Sequence, residues 1–170
     1  MSNTANINKL IELLRADQGR HFIMRKFVHH LGTDDNCRIQ QYAECKTACC
    51  LAGWANTFAL AEEEGTDWKS ITGYNFAAEL GDRERAGHWL GITDYCTYIE
   101  LFEIHSLQDI GVMPLTKFDN LPAETRVSAA IAVLEHLRDT GYVNWLRALN
   151  SVGWRPDYRP WTQEELSDGA

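Results

Sequence analysis

Apolar residues in this chain recur three and four positions apart in short blocks, and almost nowhere do they alternate with polar ones. That spacing puts apolar side chains on one face of an α-helix, and its scarcity of period-two patterning leaves little room for a sheet. The clearest block is Val127, Ala130, Ile131, Leu134 and Leu137, with Pro122 as a helix start and Gly141 as a stop. Ile7, Leu10, Ile11 and Leu14 make residues 5–16 a second amphipathic helix, with Gly19 at its end. The pattern predicts an all-α (mainly α) fold, a compact single-domain bundle of about six or seven short helices.

The remaining blocks are shorter. Phe22 to Leu31 reads as a helix, Gly32 to Asn36 as a loop, and Arg38 to Glu44 as either a short strand or an extended segment. Thr47 suits the N-cap of a helix running from Ala48 through Leu51, Trp54 and Phe58 to Glu62-Glu63-Glu64-Gly65. After a connector over 66–73, Asn75–Leu80 reads as a short helix ending at Gly81, and Arg83–Leu90 as another ending at Gly91. Thr93 or Thr97 opens a segment with Tyr95, Tyr98, Ile99 and Phe102, residues 105–120 are loop-like, and Tyr142–Leu149 adds a final turn or helix. The expected division is one helical domain over 1–153 and an extended C-terminal tail over 154–170, rich in Pro and acidic residues.

A chain of 170 residues suits one domain and can bury roughly 70 % of its unfolded surface without staples. Its net charge is −8, and its basic residues gather only at Arg25-Lys26 and Arg83/Arg85. Direct binding to a nucleic-acid backbone, which needs a basic patch, is therefore not expected. Residues 1–8 are polar, no run reaches the roughly 20 apolar residues of a membrane span, and the five cysteines are an odd number. These features lead to the expectation of a cytoplasmic protein with free thiols and no membrane association. Six Trp in one small domain point to a dense core or an aromatic contact face.

Three of the five cysteines, Cys45, Cys49 and Cys50, fall within six positions. Cys45 and Cys49 have a spacing that zinc sites use, with Cys37, His29, His30 or Cys96 as candidates to complete a tetrahedral set. The competing reading is that they are small buried hydrophobes. A thiol enzyme is a further alternative: Cys45 or Cys49 near a helix start would favour thiolate, with His88, His105 or His136 as base. It lacks both a sheet to present the histidine and a family-specific signature, and no phosphate-binding loop, zincin motif or serine elbow occurs. Gly53 in mid-helix is read as a close-packing position under Trp54, and Trp89 and Trp145 as aromatic anchors.

The stretch Cys45-x-Thr47-x-x-Cys50-Leu51-Ala52-Gly53 resembles the Cys-Gly-Thr-x-x-Cys-hydrophobic-Ala-Gly motif of small uncharacterised proteins of tailed phages and prophages. Phe22-Ile23-Met24, the segment Ala86 to Ile92 followed by Leu101-Phe102, and Thr140-Gly141-Tyr142-Val143-Asn144-Trp145 match further pieces of that pattern in the same order. Lys46 stands where the pattern has Gly, and Cys49 is an added thiol. The resemblance implies a phage-type genome and carries no activity with it. With the acidic balance, the aromatic content and the missing catalytic signatures, it leads to the expectation of a non-enzymatic accessory protein that binds another protein, one version being the blocking of a host function. A zinc-stabilised helical module built on the cysteine cluster is the alternative.

Overall fold

The computed structural model describes residues 2–20, 22, 28–30, 47–70, 80–102, 118 and 120–154. Among these, six α-helices carry the fold: α1 (Thr4–Asp17), α2 (Leu51–Glu64), α3 (Leu80–Trp89), α4 (Tyr95–Phe102), α5 (Ala123–Thr140) and α6 (Trp145–Ser151). The fold is mainly α, as the spacing predicts. A short antiparallel pair, β1 (Val28–His30) and β2 (Thr47–Cys49), precedes α2. A single 3-10 turn, Trp68–Ser70, follows α2.

Helix α2 lies at the centre. Every residue from Leu51 to Ala61 is buried, so the helix is enclosed on all sides rather than along one stripe. Its ends explain its length. Gly65 closes it in the left-handed region, its N–H donating to the carbonyls of Ala61 and Glu62. Its start differs from the sequence expectation. Thr47 does not cap a helix, because residues 47–49 hydrogen-bond to Val28–His30 as a strand, and the helix begins at Leu51 after Cys50. The same pairing replaces part of the helix expected over Phe22–Leu31. A backbone partner distant in sequence outweighs local helical spacing at both places.

Helix α3 packs most extensively on α2, α6 folds back on α5, and α1 lies against α5. Helix α3 also runs through Gly81, where the sequence suggests a break, and ends at Trp89, one residue before the expected Leu90. Residues 32–46, 75–79, 105–117 and 155–170 hold the remaining sequence expectations, the tail included, and lie outside the described residues. Trp154 is half-buried against the core, its N–H donating to Leu149 O at 3.0 Å.

Aromatic rings fill the interior. Phe58 and Trp89 stack with centroids 5.2 Å apart, and Trp68 meets Phe58 and Trp54 edge-on at 5.5 and 5.9 Å. Such offset and edge-on pairs add about 0.5–1.5 kcal/mol each beyond buried area. A polar strap crosses this cluster. Lys9 Nζ lies 4.6 Å from the Phe58 centroid and 3.2 Å from Glu62 Oε1, while Trp89 Nε1 donates to the other Glu62 oxygen at 2.8 Å. Asn6 Nδ2 donates to Trp89 O at 2.7 Å, which ties α1 to the end of α3.

The α1–α5 contact is closest just past the end of α1. Gly19 has φ +78°, and a Cβ there would lie 2.7 Å from the backbone oxygen of Ala123 and 2.8 Å from Val127 Cγ2. Gly141 has a similar φ of +80° with open space around it. Gly141→Ala meets only the conformational cost, about 1 kcal/mol. Gly19→Ala meets that cost and must also push α5 away. Thermal melts should therefore show Gly19→Ala falling well below Gly141→Ala, on a scale of roughly 2–4 °C per kcal/mol for a domain of this size.

Candidate interaction surface

The sequence-nominated residues separate into two groups. Cys50 is buried in the core at the start of α2. Gly53, Trp54, Trp89 and Trp145 are buried as well. Trp145 Nε1 donates to Glu100 O at 3.0 Å, and its ring meets Phe118 edge-on. These residues build the interior, so the tryptophans are not displayed on a face. Cys45 and Cys37 lie outside the described residues, as does the side chain of Cys49. Cys96 is exposed on α4. Among the described residues no group of three His, Cys, Asp or Glu side chains is placed to hold a metal ion.

Among the described residues two large apolar side chains escape the core: Tyr95 is 62 % and Tyr142 72 % exposed. Tyr142 lies in the turn between α5 and α6, and Tyr95 opens α4 directly after the turn from α3. The α3–α4 turn and the α5–α6 turn enclose a groove of about 360 Å³. Its described lining includes Ile92, Asp94, Thr97, Leu137, Thr140 and Tyr142. Tyr95 directly follows Asp94 and opens α4 with its ring edge-on to Tyr98. Sequence reasoning named neither tyrosine as a contact residue. The turn signals on either side, Gly91 and Gly141, were the available clue, because loops and helix ends carry side chains away from the core.

Asp94, not Thr93 or Thr97, caps α4. One of its carboxylate oxygens, Oδ2, accepts from both the backbone N–H and the hydroxyl of Thr97 at 2.8 Å. The Thr97 hydroxyl bond is the main cause, with the backbone bonds, that holds the Asp94 carboxyl below its ordinary value. Asp94 thus stands as a fixed negative charge on the groove wall. On the neighbouring surface Asp139 is likewise lowered, chiefly by its hydrogen bond from Arg138, which also binds Asn8.

Two other grooves lack this combination. The larger, about 640 Å³, runs between the end of α1 and the first half of α5 past Gln18, Ala123, Val127 and Ile131. Its cation, Arg15, is engaged by Glu135 at 2.9 Å. The third groups His136, Asp139, Arg147 and Ser151 between α5 and α6. Ser151 donates to Ala148 O, and His136 Nδ1 faces the Arg147 guanidinium at 3.5 Å. The nucleophile-to-base hydrogen bond that a serine hydrolase needs is not made there.

Comparison with protein-family models, with curated proteins and with solved structures finds no match for this chain. Among the described residues no helix is long and apolar enough to cross a membrane.

The cap gives a pH signature. Because the Asp94 carboxyl is lowered when folded, its stabilisation is complete above the unfolded value near 3.8 and is lost as pH falls through the lower folded value. Asp94→Asn keeps a good capping side chain but does not titrate. The melting temperature of the native chain should therefore drop more steeply than that of Asp94→Asn on acidification below about pH 5.

Proposed function

We propose that this chain is a non-enzymatic protein-binding module, an accessory protein of the kind that phage genomes encode. The observation that carries the reading is the exposure of Tyr95 and Tyr142, set at two neighbouring turns of a domain that buries its other large aromatic side chains or packs them against its core, among the described residues. Tyrosine provides a large amphipathic contact with few rotatable bonds, and it is enriched where proteins meet. Burying such a ring in a partner contributes more than leaving it in water, which gives the exposed pair a use that packing does not explain.

Several features support the same reading. The acidic balance disfavours a nucleic-acid partner. The Ser151 and His136 side chains hydrogen-bond elsewhere rather than to each other. The ordered set of phage-like motifs between residues 20 and 146 fits a small accessory protein, with the inhibition of a host function as one form of it.

A tagged chain and its Tyr95→Ala/Tyr142→Ala variant, expressed at equal levels, test this. Exposed substitutions should change stability by no more than about 0.5 kcal/mol each, so the variant stays folded. The expected result is a protein that co-purifies stoichiometrically with the native chain and is lost from the variant. Equal recovery with both, or no protein recovered with either, contradicts the reading.

A further inference from the structure

We infer that the groove between the α3–α4 and α5–α6 turns accepts a basic segment of a partner protein, with a lysine or arginine side chain seated beside Asp94 and under Tyr142; this deepens the protein-binding reading and rests on it. Three independent features of the groove point to a cation. The first is charge. Asp94 is the one ionisable acid or base among its described lining residues other than the tyrosine. Its oxygen Oδ2 accepts both bonds from Thr97 and the carboxylate also accepts from the backbone N–H of Cys96, which leaves acceptor capacity for one further donor.

The second is the backbone. Helix α5 ends at this groove at Gly141, and the turn that follows α3 passes it at Gly91; both glycines line it. A helix C-terminus carries about half a negative charge on its last carbonyls, and α5 is the longest helix among those described. The last carbonyls of α3 are already taken, Trp89 O by Asn6 and Leu90 O by the Asn3 N–H, so the α5 end alone adds to the carboxylate, against the positive N-terminus of α4 that Asp94 caps. The third is the ring. Tyr142 stands 72 % exposed on the groove wall, and an ammonium or guanidinium group over a tyrosine face is held by the ring quadrupole. Neighbouring cations do not cancel this field. Arg138 is paired with Asp139 at 2.7 Å, and Arg147 lies in the adjoining α5–α6 groove facing His136. The net charge of −8 adds a long-range pull on the same class of partner.

The groove's apolar members, Ile92 and Leu137, provide a floor for the hydrocarbon stem of a long basic side chain, which buries its methylenes while its head stays polar.

The test is fluorescence anisotropy of the full chain with a labelled Gly-Ser-Arg repeat peptide, set against the same peptide with Gln in place of Arg. Asp94→Asn removes the charge and keeps the helix cap, and Tyr142→Ser removes the ring. Glu12→Gln and Glu64→Gln remove one exposed charge each far from the groove. The inference expects the Arg peptide to bind and the Gln peptide not to. Asp94→Asn and Tyr142→Ser should each weaken the Arg peptide roughly tenfold, while the two glutamate variants stay within about twofold. Equal effects of all four variants would show diffuse attraction to an acidic surface and overturn the inference, as would no binding in the millimolar range. If the peptide fails while a captured protein still depends on Tyr95 and Tyr142, the basic-segment assignment falls and the protein-binding reading stands.

Discussion

The burial of α2 on every side is the constraint on which the rest of the structure depends. A helix enclosed from Leu51 to Ala61 needs neighbours around its whole circumference, and it needs small residues wherever those neighbours come close. Ala52, Gly53, Ala55, Ala59 and Ala61 meet the second need, and Trp54 and Phe58 fill the spaces between. Enclosure also forces buried polar groups to find partners. Thr57 donates to Gly53 O at 2.8 Å, and Asn56 Oδ1 accepts from Arg85 at 3.1 Å. Among the described residues Asn56 Nδ2 has no hydrogen-bond partner.

From that centre the outer helices take their places. Helix α3 lies along α2 through the Phe58–Trp89 stack, and α1 is clipped to both by Lys9 and Asn6. Helix α6 folds back on α5, which also meets α1, and Trp145 is seated on the last turn of α4 through Glu100 O. The consequence for function is geometric. The turns after α3 and α5 are each braced by a helix ending on one side and another beginning on the other, so the groove between them has a rigid frame. A preorganised frame lowers the ordering cost of binding.

Much of this was legible in the sequence, and each part that was not has its own cause. The helical spacing of Ile7 to Leu14 and of Val127 to Leu137 places α1 and α5 directly, because a strong 3.6-residue period depends on nothing outside the segment. The stops at Gly65, Gly91 and Gly141 are equally local. Thr47 misleads because its fate is set by Val28–His30, a partner that no local pattern reveals. Gly81 misleads differently: it stands at the second position of α3, where a glycine costs the helix about 1 kcal/mol relative to alanine without ending it. The interaction surface was the least legible part. Tyr95 and Tyr142 look like core aromatics by type, and only the way the two turns meet leaves them outside. Tryptophan content points to a dense core or a contact face, and the structure spends Trp54, Trp89 and Trp145 on the core.

Site-specific photocrosslinking tests the central claim most directly, with a benzophenone amino acid in place of Tyr142 and, in a separate chain, in place of Ser128 beside the larger α1–α5 groove. The account predicts one dominant adduct from position 142, mapping by mass spectrometry to a lysine- or arginine-bearing segment of a partner protein, and none of that species from position 128. Indistinguishable adducts from the two positions, or none from position 142, would contradict it.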